Sequence, residues 1–156
     1  MKVRRYDSTS KKDFVRMKNL MLELCKVTGS EFDENRFNNT IQRRVSDKKN
    51  RQGILLAEDN KKIVGMLLAE VLVSPFIETY GNLSNFVVSP DYRGKGVGKT
   101  LLDKAFEFFR DMGVNRVETN IRELPKEGKL FKRYGFVKKY IVLEKKIPME
   151  EFSRPY

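Results

Sequence analysis

The chain has 156 residues and a mass of 18.3 kDa, enough for one domain, and 40% of it is apolar, including 11 Phe and 6 Tyr that can fill a core. With 32 Lys and Arg against 21 Asp and Glu, its net charge is +11, which favours anionic partners without naming one. A single cysteine, Cys25, excludes an intrachain disulfide, and the absence of histidine excludes Ser-His-Asp and Cys-His machinery and every His-containing zinc site. Acid–base chemistry is left to Glu, Asp, Tyr, Lys, water and the backbone. No apolar run approaches the roughly 18 residues that span a bilayer. No apolar stretch follows the charged start, so no signal peptide is read and a cytoplasmic protein with no membrane partner is expected.

Residues 3–6 suit a short first strand. Ser10 with Asp13 forms a helix-start pattern, and Phe14, Met17, Met21 and Leu24 recur at helical spacing until a glycine closes the helix. Cys25 on that helix reads as a buried thiol. A more polar helix is predicted over 33–45, with Phe37 and Ile41 facing inward. Strands follow at 53–58 and 63–73, joined by a hairpin turn over 59–62, and a third at 82–88. Leu101, Leu102, Ala105, Phe106, Phe109 and Met112 then mark an amphipathic helix that Gly113 ends. The pattern predicts a strand over 114–121, a short helix over 126–134, and a last strand or strand pair over 136–147. The order is βααβββαβαβ, an α+β fold with a largely antiparallel sheet in one domain over 1–147, and a peripheral tail over 148–156.

The most informative stretch runs from Asn85 to Thr100, where an apolar strand leads into Arg93-Gly94-Lys95-Gly96-Val97-Gly98-Lys99 and then directly into a helix. Helix starts leave backbone N–H groups unpaired and carry positive potential, so such a turn suits a diphosphate. A Walker A loop ends correctly in Gly98-Lys99-Thr100, but Arg93 stands where its first glycine belongs. A dinucleotide GxGxxG fingerprint is one residue too long for Gly94, Gly96 and Gly98.

The same residues closely resemble the coenzyme A-binding motif of GCN5-related N-acetyltransferases (GNAT), Arg/Gln-x-x-Gly-x-Gly/Ala. A second block, Leu130-Phe131-Lys132-Arg133-Tyr134-Gly135-Phe136, is similar to that family's late Leu-Tyr-Glu-x-x-Gly-Phe segment. The resemblance implies helices on both faces of a mixed sheet and a V-shaped splay between the fourth and fifth strands, where acetyl-CoA lies. It implies backbone contacts from Phe86, Val87 and Val88 to the pantetheine arm, with the Val88 N–H aimed at the thioester. It further implies diphosphate contacts from Arg93, Gly94, Lys95, Gly96, Val97, Gly98, Lys99 and Thr100.

By that resemblance the protein is an N-acetyltransferase acting on a primary amine of a peptide N-terminus, a lysine or a small molecule. The alternative is a coenzyme A-binding sensor with weak or lost catalysis. Glu118 is the expected general base, with Glu78 and Glu123 behind it. The family's usual tyrosine position is Phe131, counted here with the cofactor residues, so Tyr134 or Tyr140 is the candidate proton donor. Leu124 and Glu127 stand where the family carries Asn and Ala. No metal is expected, nucleic acid is not the expected main partner, and either a monomer or a homodimer is compatible with the sequence.

Overall fold

The computed structural model describes residues 1–76, 78–121 and 125–148, without the side chains of 125–127. Glu123, Leu124 and the tail beyond 148 lie outside the described residues. The chain forms two compact units, Met1–Asn120 and Ile121–Tyr156. The first contains β1 (Lys2–Arg5), α1 (Lys11–Thr28), α2 (Glu34–Ser46), β2 (Ile54–Asp59), β3 (Lys62–Leu72), β4 (Tyr80–Val88), α3 (Val97–Asp111) and β5 (Val117–Thr119). The second contains α4 (Pro125–Arg133). Among the described residues, five strands form one sheet in sequential order, antiparallel except for the parallel β4–β5 pair.

The helix boundaries follow from local chemistry. Ser10 caps α1 by accepting the Asp13 N–H at 3.1 Å, and Gly29 closes it at φ 70, donating to the Cys25 carbonyl. Asp33 caps α2 in the same way, accepting the Arg36 N–H at 2.9 Å. Between β2 and β3 the hairpin turns on Asn60 and Lys61, both at positive φ, as a tight two-residue connection requires.

Strand alternation divides the core into two layers. Ile54, Leu56, Met66, Leu68 and Val87 pack under Met17 and Leu20 of α1 and Phe37 and Ile41 of α2. The other face carries α3, whose Leu101, Leu102, Ala105, Phe108 and Phe109 are buried. Close approach on this side depends on glycine. A Cβ at Gly65 would stand 3.1 Å from Val97, and one at Gly81 would meet the Phe109 ring at 2.6 Å.

Two charged clusters tie the helices to the sheet. Arg4 on β1 forks onto the buried Asp13 carboxylate at 2.7 and 2.9 Å and reaches Glu58 at 2.7 Å through Nε. Asp13 therefore spends its carboxylate on Arg4 rather than on the capping box its spacing suggested. On α2, the buried Arg44 binds the Ala69 carbonyl, the Asn50 carbonyl at 3.4 Å and Glu70 at 3.4 Å. Burial lowers the pKa of Arg44, and the neighbouring Glu70 opposes that shift. Asn50 completes the staple by pairing with Val71 through both its amide groups.

Two sequence expectations are corrected. β5 spans three residues, not 114–121, and residues 136–148 carry no strand. A strand there would place Lys139 and Lys145 among Val137, Ile141, Leu143 and Ile147 on one face, and Lys138 and Lys146 beside Tyr140 and Val142 on the other. Neither face is clean enough to bury, so strand-forming residue types do not suffice.

Gly53→Ala should cost about 3 kcal/mol in urea unfolding, because the new Cβ would lie 1.9 Å from the Ala69 carbonyl oxygen. Arg4 holds the Glu58 carboxyl below its ordinary value of 4.5. That stabilisation is complete above the unfolded value and is lost as pH falls through the folded one. Glu58→Gln should therefore flatten the fall in urea midpoint below about pH 4.5.

Candidate active site

The opening in the sheet begins with one extra residue. β3 and β4 pair as Gly65↔Val88 and Met66↔Val87, then resume at Leu68↔Ser84, so Asn85 and Phe86 together oppose Leu67. Such a bulge bends its strand. Asn85 takes the bend at φ 51, a conformation Asn tolerates better than most side chains. Its amide donates to Met21 Sδ at 3.1 Å, which fixes α1 over the bend.

β5 meets β4 only at Gly81↔Val117, Asn82↔Glu118 and Leu83↔Thr119. At the parting, the Thr119 hydroxyl donates to the Leu83 carbonyl at 3.1 Å. Beyond it, among the described residues, β4 continues from Ser84 to Val88 without a strand on that side, roughly 16 Å of edge at about 3.3 Å per residue. Ser89 donates to the Val64 carbonyl at 2.8 Å, so by alternation Val87 bonds towards β3 and Val88 turns its N–H and C=O towards the opening. The Val87 side chain lies in the α1/α2 core and its backbone pairs with β3. The Val88 carbonyl accepts Arg93 Nε at 3.0 Å, which leaves the N–H as the group Val88 presents.

Pro90–Tyr92 makes one 3-10 turn before the glycine-rich loop. Gly94 and Gly96 sit at φ 74 and 81, and a Cβ at either would touch nothing within 4 Å. Glycine is needed here for conformation, not for room. Gly96 begins α3 without a side-chain cap. Thr100 is the first residue to bond back, its N–H and hydroxyl both reaching the Gly96 carbonyl at 3.1 and 2.9 Å. The N–H groups of Gly96, Val97 and Gly98 precede that first bond and lack an acceptor within the helix, and the macrodipole adds positive potential there. An anionic diphosphate fits that chemistry. Both Thr100 donors thus serve the helix here. Val97 offers only its backbone, because its side chain is buried against Gly65. Lys95 lies 5.4 Å over the Tyr92 ring, and Lys99 pairs with Asp103 at 2.8 Å.

Glu118 stands opposite Asn82, one residue before the strands part. Arg116 lies 3.7 Å from its carboxylate. Glu78 lies in the exposed connection before β4. Cys25, expected to be buried, is half-buried one helical turn beyond Met21. In the second unit, Phe131 is buried and meets Phe136 edge-on at 5.2 Å. Tyr134 follows α4, its N–H shared between the carbonyls of Leu130 and Phe131, and Gly135 closes the helix at φ 80. Tyr140 is exposed.

The acetyltransferase (GNAT) family matches this chain over residues 17–136. The chain belongs to that family. An uncharacterized N-acetyltransferase of Methanocaldococcus jannaschii is 31% identical over 98 residues, 61% of this chain and 43% of that protein. The match thus spans less than half of that relative. Among solved structures, an aminoglycoside acetyltransferase from an uncultured soil metagenomic sample superposes with a TM-score of 0.73 at 16% identity, covering 94% of this chain and 96% of that one. Glucosamine-6-phosphate N-acetyltransferase from Arabidopsis thaliana gives 0.66 at 22% identity, covering 94% and 98%. At these identities the structures share the GNAT fold.

Sequence reasoning located the glycine turn but missed the bulge that opens this GNAT sheet. One signal was present: Asn85, a poor strand former, interrupts an otherwise strand-like stretch. Asn85→Val should destabilise the protein by about 1–3 kcal/mol in chemical denaturation, because a β-branched residue strains at this φ. Asn85→Gly should cost less, retaining the bend while losing the Met21 contact.

Proposed function

We propose that this protein is an acetyl-CoA-dependent N-acetyltransferase that transfers the acetyl group directly to a primary amine. The observation that carries this is the continuity of the open β4 edge with the amide-rich start of α3. An extended arm with amide groups can pair with such an edge as an added strand would, while the N–H groups from Gly96 to Gly98 receive the diphosphate. With the diphosphate at α3, the arm runs back along Val88 and Phe86, and its acyl end lies towards the parting of β4 and β5. This assigns the Val88 N–H to the arm and moves the thioester from Val88 towards the bulge.

Acetyl-CoA supplies the activated acetyl group. The amine nitrogen forms the new N–C bond, the C–S bond breaks, the amine gives up a proton and the departing sulfur gains one. An alkyl ammonium has a pKa of about 10.4, so a base is required. Glu118, one residue before the parting, takes that role, directly or through one water. Phe131 cannot donate a proton, so Tyr134 is the proposed donor to the thiolate. The reading places the enzyme in the cytoplasm as a monomer or homodimer. No helix among the described residues is long and apolar enough to cross a membrane.

Calorimetry should detect acetyl-CoA binding, and Gly96→Val should weaken it at least about tenfold by reshaping the start of α3. Glu118→Gln should lower kcat by about 10²-fold. Unchanged kcat in Glu118→Gln and in Tyr134→Phe would remove both proton-transfer roles. Binding of acetyl-CoA without transfer to any amine would instead identify a coenzyme A sensor.

A further inference from the structure

A half-buried polar strip flanks the point where β4 and β5 separate. Register places Asn82 and Ser84 of β4 on the sheet face that α1 and α2 cover elsewhere, opposite Glu70 and Leu68, with Glu118 beside Asn82. Arg116, two residues before Glu118, shares that face. Its guanidinium carbon sits 5.3 Å over the Tyr80 ring, a contact that steadies a long side chain.

The donors of Arg116 are incompletely used. Nε and Nη2 are shielded from solvent and have no hydrogen-bond partner among the described residues. The nearest carboxylate oxygen, on Glu118, is 3.7 Å from Nη2, beyond hydrogen-bond length. Nε and Nη2 form the side-on fork of the guanidinium, whose parallel N–H groups match the two oxygens of a carboxylate or phosphate. A shielded donor without an acceptor is costly, and a ligand oxygen removes that cost. The net charge of +11 draws anionic molecules towards the protein.

We propose that the amine acceptor carries an anionic group a few bonds from its amine, and that Arg116, steadied by Tyr80, binds that group while Glu118 receives the amine. This rests on the acetyltransferase reading above. The order along β5 suits it: Glu118 is nearer the parting of the strands, where the acyl group is delivered, and Arg116 is set back from it. Free amino acids and peptides with an acidic first residue share this chemistry.

The test measures kcat/KM with acetyl-CoA for matched acceptors. One arm compares β-alanine with its amide, and the other compares peptides starting with Asp or Glu with peptides starting with Asn or Gln. The wild-type protein should prefer the acid at least about tenfold in one arm, which also tells the two sources apart. Arg116→Gln should bring that ratio to within about twofold, mainly by raising KM for the acid. Arg116→Lys, which keeps the charge without the fork, should retain part of the preference. Tyr80→Phe should preserve it and Tyr80→Ala should weaken it, since only the first keeps a ring beneath the guanidinium. Thermal unfolding of each variant identifies any that fails to fold, and the remaining substitution at either position then carries the test. Equal rates on acid and amide in both arms, a preference that survives Arg116→Gln, or transfer to neutral amines alone would overturn the inference while leaving the acetyltransferase reading intact. Failure of the wild-type protein to bind acetyl-CoA would remove both.

Discussion

One extra residue in β4 controls the geometry on which everything else depends. Without the bulge at Asn85 and Phe86, Val87 would share the sheet face of Leu83, and β4 would continue in register with its neighbours. With it, Leu83 stays on the α3 side while Val87 enters the α1/α2 core, so burial of one valine holds the bend in place. The bend carries β4 away from β5 after three paired residues. Past those residues, no strand among the described residues lies along that side of β4.

The bend persists because the frame around it is stapled on both sides. Arg4 fastens α1 to β1 and β2 through Asp13 and Glu58, and Arg44 fastens α2 to β3 through the Ala69 carbonyl and Glu70. α1 then reaches the bulge itself through Met21 and Asn85. On the opposite face, the glycines at 65 and 81 let α3 lie close against β3 and β4, which sets where its N-terminus points. The start of α3 and the open edge of β4 are joined by one short loop, and Arg93 bonding to Val88 closes that loop onto the strand. The start of α3 and the open edge of β4 are therefore consecutive in the chain as well as adjacent in space.

Acidic and basic groups are distributed unevenly around this frame. The Glu58 and Glu70 carboxylates are committed to arginines that hold helices in place. Glu118 and Arg116 face each other at a distance too long for a hydrogen bond, beside the parting of the strands.

The amino-acid sequence by itself determined the element order through β5, the helix ends at Ser10 and Gly29, the hairpin over 59–62 and the glycine turn. Each of these follows from local conformational preference or from hydrophobic period, which a linear reading can see. It also carried the family resemblance, because Arg93 to Gly98 is a contiguous motif. Only the tertiary structure decided the register of β3 on β4, the length of β5 and the turn of the Val87 side chain into the α1/α2 core. It also decided the meeting of Arg116 with Tyr80 across two strands. Those outcomes depend on pairing between residues distant in sequence, where a shift of one position reverses every side chain and no local pattern records it. The expected last strand failed for the same reason: its residue types favour extended backbone, but burial of one clean face, which the pattern of lysines denies, decides whether a strand forms.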